Sequence, residues 1–315
     1  MNQSKFSLAD IFNVSGTLGF GFLCFLSFNF ISLGETGVSI LLAAVFALPL
    51  GGFAFWAKRL KMTDRPSKSK IIGEGILLIC FGIIAFVAIF PFSHFFAVYE
   101  QKAGIQEKLT ANIEQAAGMF DNYEDYVRNR MDMYMSRLIS TVNAKGVNPS
   151  EYNSYGFEVG TDDGTQIRNK IFILSQKLRP SNYSDSINNN GMKEVAVAWL
   201  TKAKNTSESN GAFIFGIVDV VNHVESKTNS WKNDLKRLSE FHAKGENAED
   251  FDYPLTFNDV TDKLTEFYIP TLLSIIFALG LYILMLLSYF ITKRHTRWPG
   301  LKVIFGTGGV RENEL

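Results

Sequence analysis

Residues 75–99 read GILLICFGIIAFVAIFPFSHFFAVY, a stretch of 25 residues without Asp, Glu, Lys or Arg. About 20 apolar helical residues cross the roughly 30 Å hydrocarbon core of a bilayer, so this stretch is long enough to span one. We expect it to be a helix, because backbone groups in lipid must satisfy one another within the segment. Three further uncharged stretches have comparable length: residues 11–34, 36–57 and 267–292.

Four uncharged stretches of this length predict a membrane protein, because most helices in soluble proteins are shorter. We expect an α-helical fold with four transmembrane helices. The first stretch lacks the basic start and the Ala-x-Ala cleavage site of a signal peptide, so we interpret it as an uncleaved span. The predicted divisions are an N-terminal membrane domain (1–99, with spans near 11–34, 36–57 and 71–99), an extramembrane domain (100–266), a fourth span (267–292) and a tail (293–315).

The basic residues predict the orientation of the spans, because Lys and Arg accumulate in cytoplasmic loops. The loop after the second span carries six basic residues against Asp64. The tail 293–315 carries five basic residues against two acids. Both termini are therefore expected in the cytoplasm, with residues 100–266 on the opposite side. The basic residues of the loop are Lys58, Arg59, Lys61, Arg65, Lys68 and Lys70.

The net charge of zero is the sum of two opposite parts of the chain. Residues 100–266 have 19 basic and 25 acidic residues, a net charge of −6, and the remainder has 12 and 6, a net charge of +6. These charges argue against a nucleic-acid partner and favour contact of the basic part with anionic lipid headgroups. Both cysteines, Cys24 and Cys80, lie in predicted spans, so the extramembrane domain must fold without disulfides.

The extramembrane domain is expected to be predominantly helical. Apolar residues recur every three or four positions from Ile105 to Leu138, which is helix periodicity. Asp163 and Gln166 resemble a capping box at the start of a second helix. Two more helices are expected at residues 192–204 and 211–243, although 212–221 also has strand character. The polar stretches 143–162, 181–191 and 244–254 are predicted to be loops.

The sequence contains no pattern that indicates an enzyme. None of the four histidines belongs to a metal-binding spacing, and there is neither a phosphate-binding glycine loop nor a Gly-x-Ser-x-Gly motif. We therefore expect no catalytic residues, no metal and no cofactor. The apolar stripes of the extramembrane helices are interpreted as core, and the exposed remainder as a surface for partners.

Five span residues are candidates for packing or function. Ser15 and Gly19 in the first span, and Gly51 and Gly52 in the second, offer surfaces for close helix approach, either within the chain or with other membrane subunits. Glu74 is an acid near the start of the third span, and such acids are functional candidates. Two alternatives are that Glu74 reaches the headgroups or pairs with Lys70.

The basic loop and the tail are candidate cytoplasmic docking elements. A linear element in the tail would add a strand or insert aromatic residues into a partner, and the alternative is a disordered end. None of the predicted cytoplasmic segments is long enough to hold an enzymatic domain, so a partner would have to receive any signal or force. The predicted docking residues are Lys58, Arg59, Lys61, Arg65, Arg297, Trp298 and Phe305.

The layout resembles the TssN family of inner-membrane subunits of the Bacteroidetes-type (subtype iii) type VI secretion system. The resemblance covers the chain end to end and rests on its size, its topology, a Phe-rich first span, the basic loop 58–70 and the tail 297–305. It implies a structural subunit of a trans-envelope complex in the bacterial inner membrane, with residues 100–266 in the periplasm. The implied partners are a cytoplasmic baseplate, periplasmic subunits and further copies of the chain. The alternatives are a membrane sensor and a channel or transporter in which Glu74 lines the path.

Overall fold

The computed structural model describes residues 8–62, 68–185, 187–208 and 210–293. Of the described residues, 79% are helical and none lies in a strand. The helices are α1 (Leu8–Ile31), α2 (Thr36–Lys61), α3 (Lys68–Glu100), α4 (Lys102–Asn143), α5 (Pro149–Ser154), α6 (Asp163–Leu178), α7 (Met192–Ser207), α8 (Asn210–Ser239), α9 (Asn258–Thr265) and α10 (Leu272–Ile291).

The chain divides into two compact units. The first unit, which we call the span bundle, comprises Met1–Lys102 and Asp262–Leu315. The second, which we call the helical unit, comprises Ala103–Thr261. The sequence predicts that the extramembrane domain begins at residue 100 and ends at residue 266, within a few residues of these bounds. The helical unit is therefore inserted in the chain between α3 and α10.

Among its described residues, the span bundle contains four helices that are long and apolar enough to cross a membrane: α1, α2, α3 and α10. Their shared core is rich in aromatic rings, and Phe20 stacks on Phe92 with 4.9 Å between ring centroids. The Tyr282 hydroxyl donates to the Ala85 carbonyl oxygen at 2.8 Å, so the one polar atom of this ring is satisfied. Large apolar side chains such as Leu48 and Phe86 are exposed on the outside of the bundle, as expected for a surface that faces lipid.

The helical unit is organised around α4, whose 42 residues would extend about 63 Å at 1.5 Å per residue. Its apolar stripe is buried as the periodicity predicts, with Phe120, Tyr123 and Val127 fully enclosed. Leu174 and Leu178 of α6 belong to the same core. Further buried members of this core are Met119, Tyr134, Leu138, Tyr152, Tyr155, Phe157, Tyr183, Ala196, Leu235 and Phe251.

Three local expectations differ from the structure. Residues 212–221 are helical in α8, so the strand alternative is wrong, because the apolar positions there face the core at helical spacing. The predicted loop 143–162 contains α5, which begins after Asn148, whose side chain accepts from the Glu151 amide. The cap of α6 is Asp162 rather than Asp163, and it accepts a hydrogen bond from the Thr165 amide at 2.7 Å.

Candidate functional site

Polar side chains meet at the end of the span bundle where α1 and α3 begin and where α2 and α10 end. Asp10 of α1 forms an ion pair with Lys58 of α2, with 2.5 Å between Oδ1 and Nζ. The two side chains are only 5% and 8% exposed. Ser288 of α10 donates to the same carboxylate oxygen at 2.7 Å. Charges removed from water are tolerated when they are paired and hydrogen-bonded, which is what this arrangement provides.

The same end of the bundle contains three more polar bonds to α10. The Tyr289 hydroxyl donates to Oε1 of Glu74 at 2.6 Å, and Glu74 is 3% exposed. The Lys61 ammonium donates to the Tyr289 carbonyl at 2.8 Å and lies 4.3 Å from the centroid of its ring. Asn13 donates to the Met285 carbonyl at 2.7 Å. The last turns of α10 are therefore bonded to all three other spans.

We call this set of residues the polar end cluster. It consists of Asp10, Asn13, Lys58, Lys61, Glu74, Ser288 and Tyr289.

The polar end cluster changes how the predicted docking residues are understood. Lys58 is buried and paired with Asp10, because α2 continues to Lys61 and its last turn packs against α1 and α10. Lys61 is half-buried, whereas Arg59 is exposed with its guanidinium 5.5 Å from the centroid of the Phe55 ring. Arg59 is therefore the member of this loop that α2 presents at its surface. The other predicted docking residues, Arg65, Arg297, Trp298 and Phe305, lie outside the described residues.

The predicted packing residues occupy different environments. A Cβ added to Gly51 would overlap the Thr17 side chain and lie 2.9 Å from its Cγ2, so α1 and α2 touch closely there. Gly52, by contrast, has open space around it, Gly19 has only Leu281 in ordinary contact, and Ser15 is exposed.

Close helix contacts also occur at two glycines that the sequence analysis did not select. These are Gly16, which packs against α10, and Gly21, which packs against Ala47. They alternate with the predicted positions on α1, and spacing alone did not distinguish the buried face of this span.

A second polar junction lies at the opposite end of α3. His94 is 1% exposed, and its Nε2 is 2.9 Å from the carbonyl oxygen of Leu264. Because a carbonyl only accepts, Nε2 carries the hydrogen. The Tyr268 ring stacks on His94 with 5.9 Å between centroids, and its hydroxyl lies 3.2 Å from the side-chain oxygen of Gln101. This His94 junction fastens the segment that precedes α10 to the end of α3.

The helical unit has a buried cation of its own, Arg130, whose side chain is 1% exposed. Its Nε and Nη2 donate to the two carboxylate oxygens of Glu246 at 2.6 and 3.0 Å, which is the bidentate geometry that a guanidinium favours. Nη1 donates to the Ser239 carbonyl at 2.6 Å and Nη2 to the Phe241 carbonyl. Arg130 therefore holds α4 against the loop that follows α8. Burial by itself would lower the pKa of Arg130, but the hydrogen bonds and charge of Glu246 raise it above its ordinary value.

A cavity of about 280 Å³ adjoins the Arg130–Glu246 ion pair. Arg137, Tyr134 and Tyr155 line it together with Arg130 and Glu246. Burial raises the pKa of Tyr134 to about 12, and the charge of Glu246 adds to the shift, so the phenol stays protonated near neutral pH. Its hydroxyl donates to the Lys244 carbonyl at 3.0 Å. The cavity is thus lined largely by polar and charged side chains.

An apolar groove of about 380 Å³ lies between α4 and α6. Phe172 is 63% exposed and Met135 is 45% exposed. Large apolar side chains grouped on a surface are typical of contacts with other proteins. The groove is lined by Met131, Met135, Ile167, Arg168, Ile171, Phe172 and Ser175.

Within the described residues, no three His, Cys, Asp or Glu side chains are grouped so that they could hold a metal ion. The polar groups described above instead bond to one another and to backbone carbonyls, and they join helices. Asp10, Arg130 and His94 do not stand out as site residues in the sequence. The only available signal was the presence of a charged or polar residue on an otherwise apolar helix face. When the chain is compared with known proteins, no family model, no curated protein and no solved structure matches it.

Proposed function

We propose that the protein is an anchor and assembly subunit of a trans-envelope complex in a bacterial inner membrane, of the type VI secretion kind that its layout resembles. The observation that carries this proposal is the division into two units. Four apolar helices form a bundle suited to a membrane, and a separate folded helical unit is inserted between α3 and α10. Such an arrangement is suited to holding a folded domain at a membrane.

The interior of the span bundle supports an anchor over a channel or transporter. The core of the bundle is filled by packed apolar and aromatic side chains. Glu74, the acid that would line a path in the transport hypothesis, is buried and accepts a hydrogen bond from Tyr289 of α10. Acids that carry ions usually face a water-filled cavity, and Glu74 is instead used to join α3 to α10.

The groove between α4 and α6 supports an assembly role for the helical unit. Its exposed Phe172 and Met135 would be covered by a neighbouring subunit, because burial of such side chains is the main driving force of association. The basic residue Arg59, exposed at the end of α2, is suited to an acidic surface of the cytoplasmic baseplate. In this proposal the helical unit is periplasmic and Arg59 is cytoplasmic.

Affinity purification of the tagged full-length chain from native membranes tests the proposal. We expect other membrane, periplasmic and baseplate subunits to be recovered with it, together with further copies of the chain. Phe172→Glu should reduce recovery of the periplasmic partners, whereas Val147→Glu, at a 92% exposed position outside the groove, should not. A chain recovered alone and monomeric would contradict an assembly role.

A membrane sensor is the second candidate, and the cavity beside Arg130 is the observation that favours it. A small ligand bound there would contact both α4 and the loop after α8. Ligand-dependent thermal stabilisation of the full-length protein, abolished by Tyr134→Phe with Arg137→Ala, would favour the sensor over the anchor.

A further inference from the structure

We propose that α10 is a coupling rod, held by polar bonds at both ends of the span bundle, so that release of one end loosens the other. The rod would connect the helical unit with the residues that follow α10. This inference goes beyond the proposed anchor function and does not depend on which complex the protein joins.

The first observation is that the polar end cluster converges on the last turns of α10. Asn13 of α1 and Lys61 of α2 donate to the backbone carbonyls of Met285 and Tyr289. Side chains of α10 donate in return to Asp10 of α1 and Glu74 of α3. Buried polar groups are costly when they are unpaired, so α10 cannot slide by a fraction of a turn without breaking several of these bonds together.

The second observation is the His94 junction at the other end of α10. The residues from Leu264 to Thr271 lead directly into α10, and His94 holds the Leu264 carbonyl. Tyr268 stacks on His94, and its hydroxyl lies within 3.2 Å of Gln101 Oε1 and of the Lys263 carbonyl. The Nδ1 of His94 is buried without a hydrogen-bond partner in the described part of the chain. The bond to the Leu264 carbonyl is therefore the hydrogen bond that this ring makes within the described residues, and its loss would weaken the attachment of the segment to α3.

The middle of α10 is held differently. Its buried side chains there are Ala278 and Tyr282, and α1 approaches it at Gly16, where a Cβ would lie 3.2 Å from the Leu281 carbonyl oxygen. The polar contact in the middle of α10 is the hydrogen bond from the Tyr282 hydroxyl to the Ala85 carbonyl oxygen. Apolar contacts of this kind tolerate small axial shifts, which polar bonds at a helix end do not.

The helix itself is suited to transmit a displacement. It has 20 residues, a length of about 30 Å, and its backbone bonds run from the Thr271 cap to Ile291 without a proline. The helical unit is inserted between α3 and the segment that leads into α10. A displacement of that segment therefore acts along α10 towards the polar end cluster.

Hydrogen exchange on the full-length protein in detergent tests the coupling in both directions. The first variant, His94→Phe with Tyr268→Phe, removes the polar contacts of the junction and keeps an aromatic ring at both positions. We expect amide exchange at residues 286–293 to become about tenfold faster, because the hydrogen bonds that hold the last turns of α10 would open more often. The second variant, Ser288→Ala with Tyr289→Phe, should accelerate exchange at residues 264–271 in the same way, because coupling between two sites is reciprocal.

Tyr282→Phe is the matched control, since it removes a buried hydroxyl hydrogen bond from the middle of α10 and leaves both ends intact. Its exchange at residues 264–271 and 286–293 should equal that of the unmodified protein. Acceleration confined to the substituted end, in either double variant, would overturn the proposal. An equal acceleration of α2, residues 36–61, would also overturn it, because that result would reflect general loosening of the bundle.

Discussion

Replacement of Arg130 by Met should destabilise the helical unit more than any replacement of an exposed cation on α4. The change keeps much of the apolar volume of the side chain but removes five donated bonds: two to Glu246 and one each to Tyr126, Ser239 and Phe241. Glu246 would be left buried, with the Ala243 amide still donating to it at 2.7 Å. Removal of one partner from a buried ion pair costs about 3–5 kcal/mol.

Urea unfolding of the full-length protein in detergent measures this loss. Trp199 and Trp231 lie in the helical unit, whereas Trp56 and Trp298 do not. In a Trp56→Phe/Trp298→Phe background, the fluorescence therefore follows the helical unit alone. With a denaturant slope of about 2 kcal/mol per M, a loss of about 3–5 kcal/mol lowers the urea midpoint by about 1.5–2.5 M.

Two further variants decide whether the buried pair is the cause. Arg137→Met, two turns along α4 at a side chain that is 66% exposed, should lower the stability by less than about 0.5 kcal/mol. Arg130→Met combined with Glu246→Met should recover part of the loss, because no charge then stays buried without its partner. Equal midpoints for Arg130→Met and Arg137→Met would refute the reasoning.

Three further predictions concern other contacts. Gly51→Ala should lower the thermal midpoint of the span bundle, followed by Trp56 fluorescence, because the new Cβ would overlap Thr17; Gly52→Ala, next to open space, should not. Gly245→Ala should cost the helical unit at least about 1–2 kcal/mol in urea, since its φ is +80° and a Cβ would meet the Tyr155 ring. The hydrogen bonds from Lys145 and Tyr152 hold the pKa of Asp163 below its usual 3.8. The ionised carboxylate therefore stabilises the fold above pH 3.8, and this stabilisation is lost as the pH falls through the lowered pKa of the folded state. Asp163→Asn should therefore reduce the drop in melting temperature between about pH 5 and pH 3.

The four spans and the helical character could be predicted because they depend on local features of the sequence. An uncharged stretch of more than 20 residues has few alternatives to a membrane helix. The stripe from Ile105 to Leu138 buries one face of α4, since helix periodicity already decides which residues share that face. Residues 212–221 were ambiguous because a short run of Val, Ile and Phe suits either a strand or a buried helix face.

The polar contacts could not be predicted because their partners are distant in the sequence. Glu74 and Tyr289 are 215 positions apart, and Arg130 and Glu246 are 116 apart. On the sequence alone, Lys58 belongs to a basic loop, and only the packing of α2 against α1 shows that it pairs with Asp10. The choice between Gly51 and Gly52 likewise depends on where Thr17 lies across the helix interface.

The most direct test of the account is the side of the membrane on which each unit lies. Single cysteines at Val147, 92% exposed in the helical unit, and at Lys68, exposed at the start of α3, can be placed in a Cys24→Ser/Cys80→Ser background. A membrane-impermeant maleimide should label position 147 in cells with a permeable outer membrane and should label position 68 only after the inner membrane is opened. Labelling of both positions while the inner membrane is intact, or of position 68 alone, would contradict the proposal. The proposal requires the helical unit and the basic loop to lie on opposite sides of the membrane, with the helical unit outside.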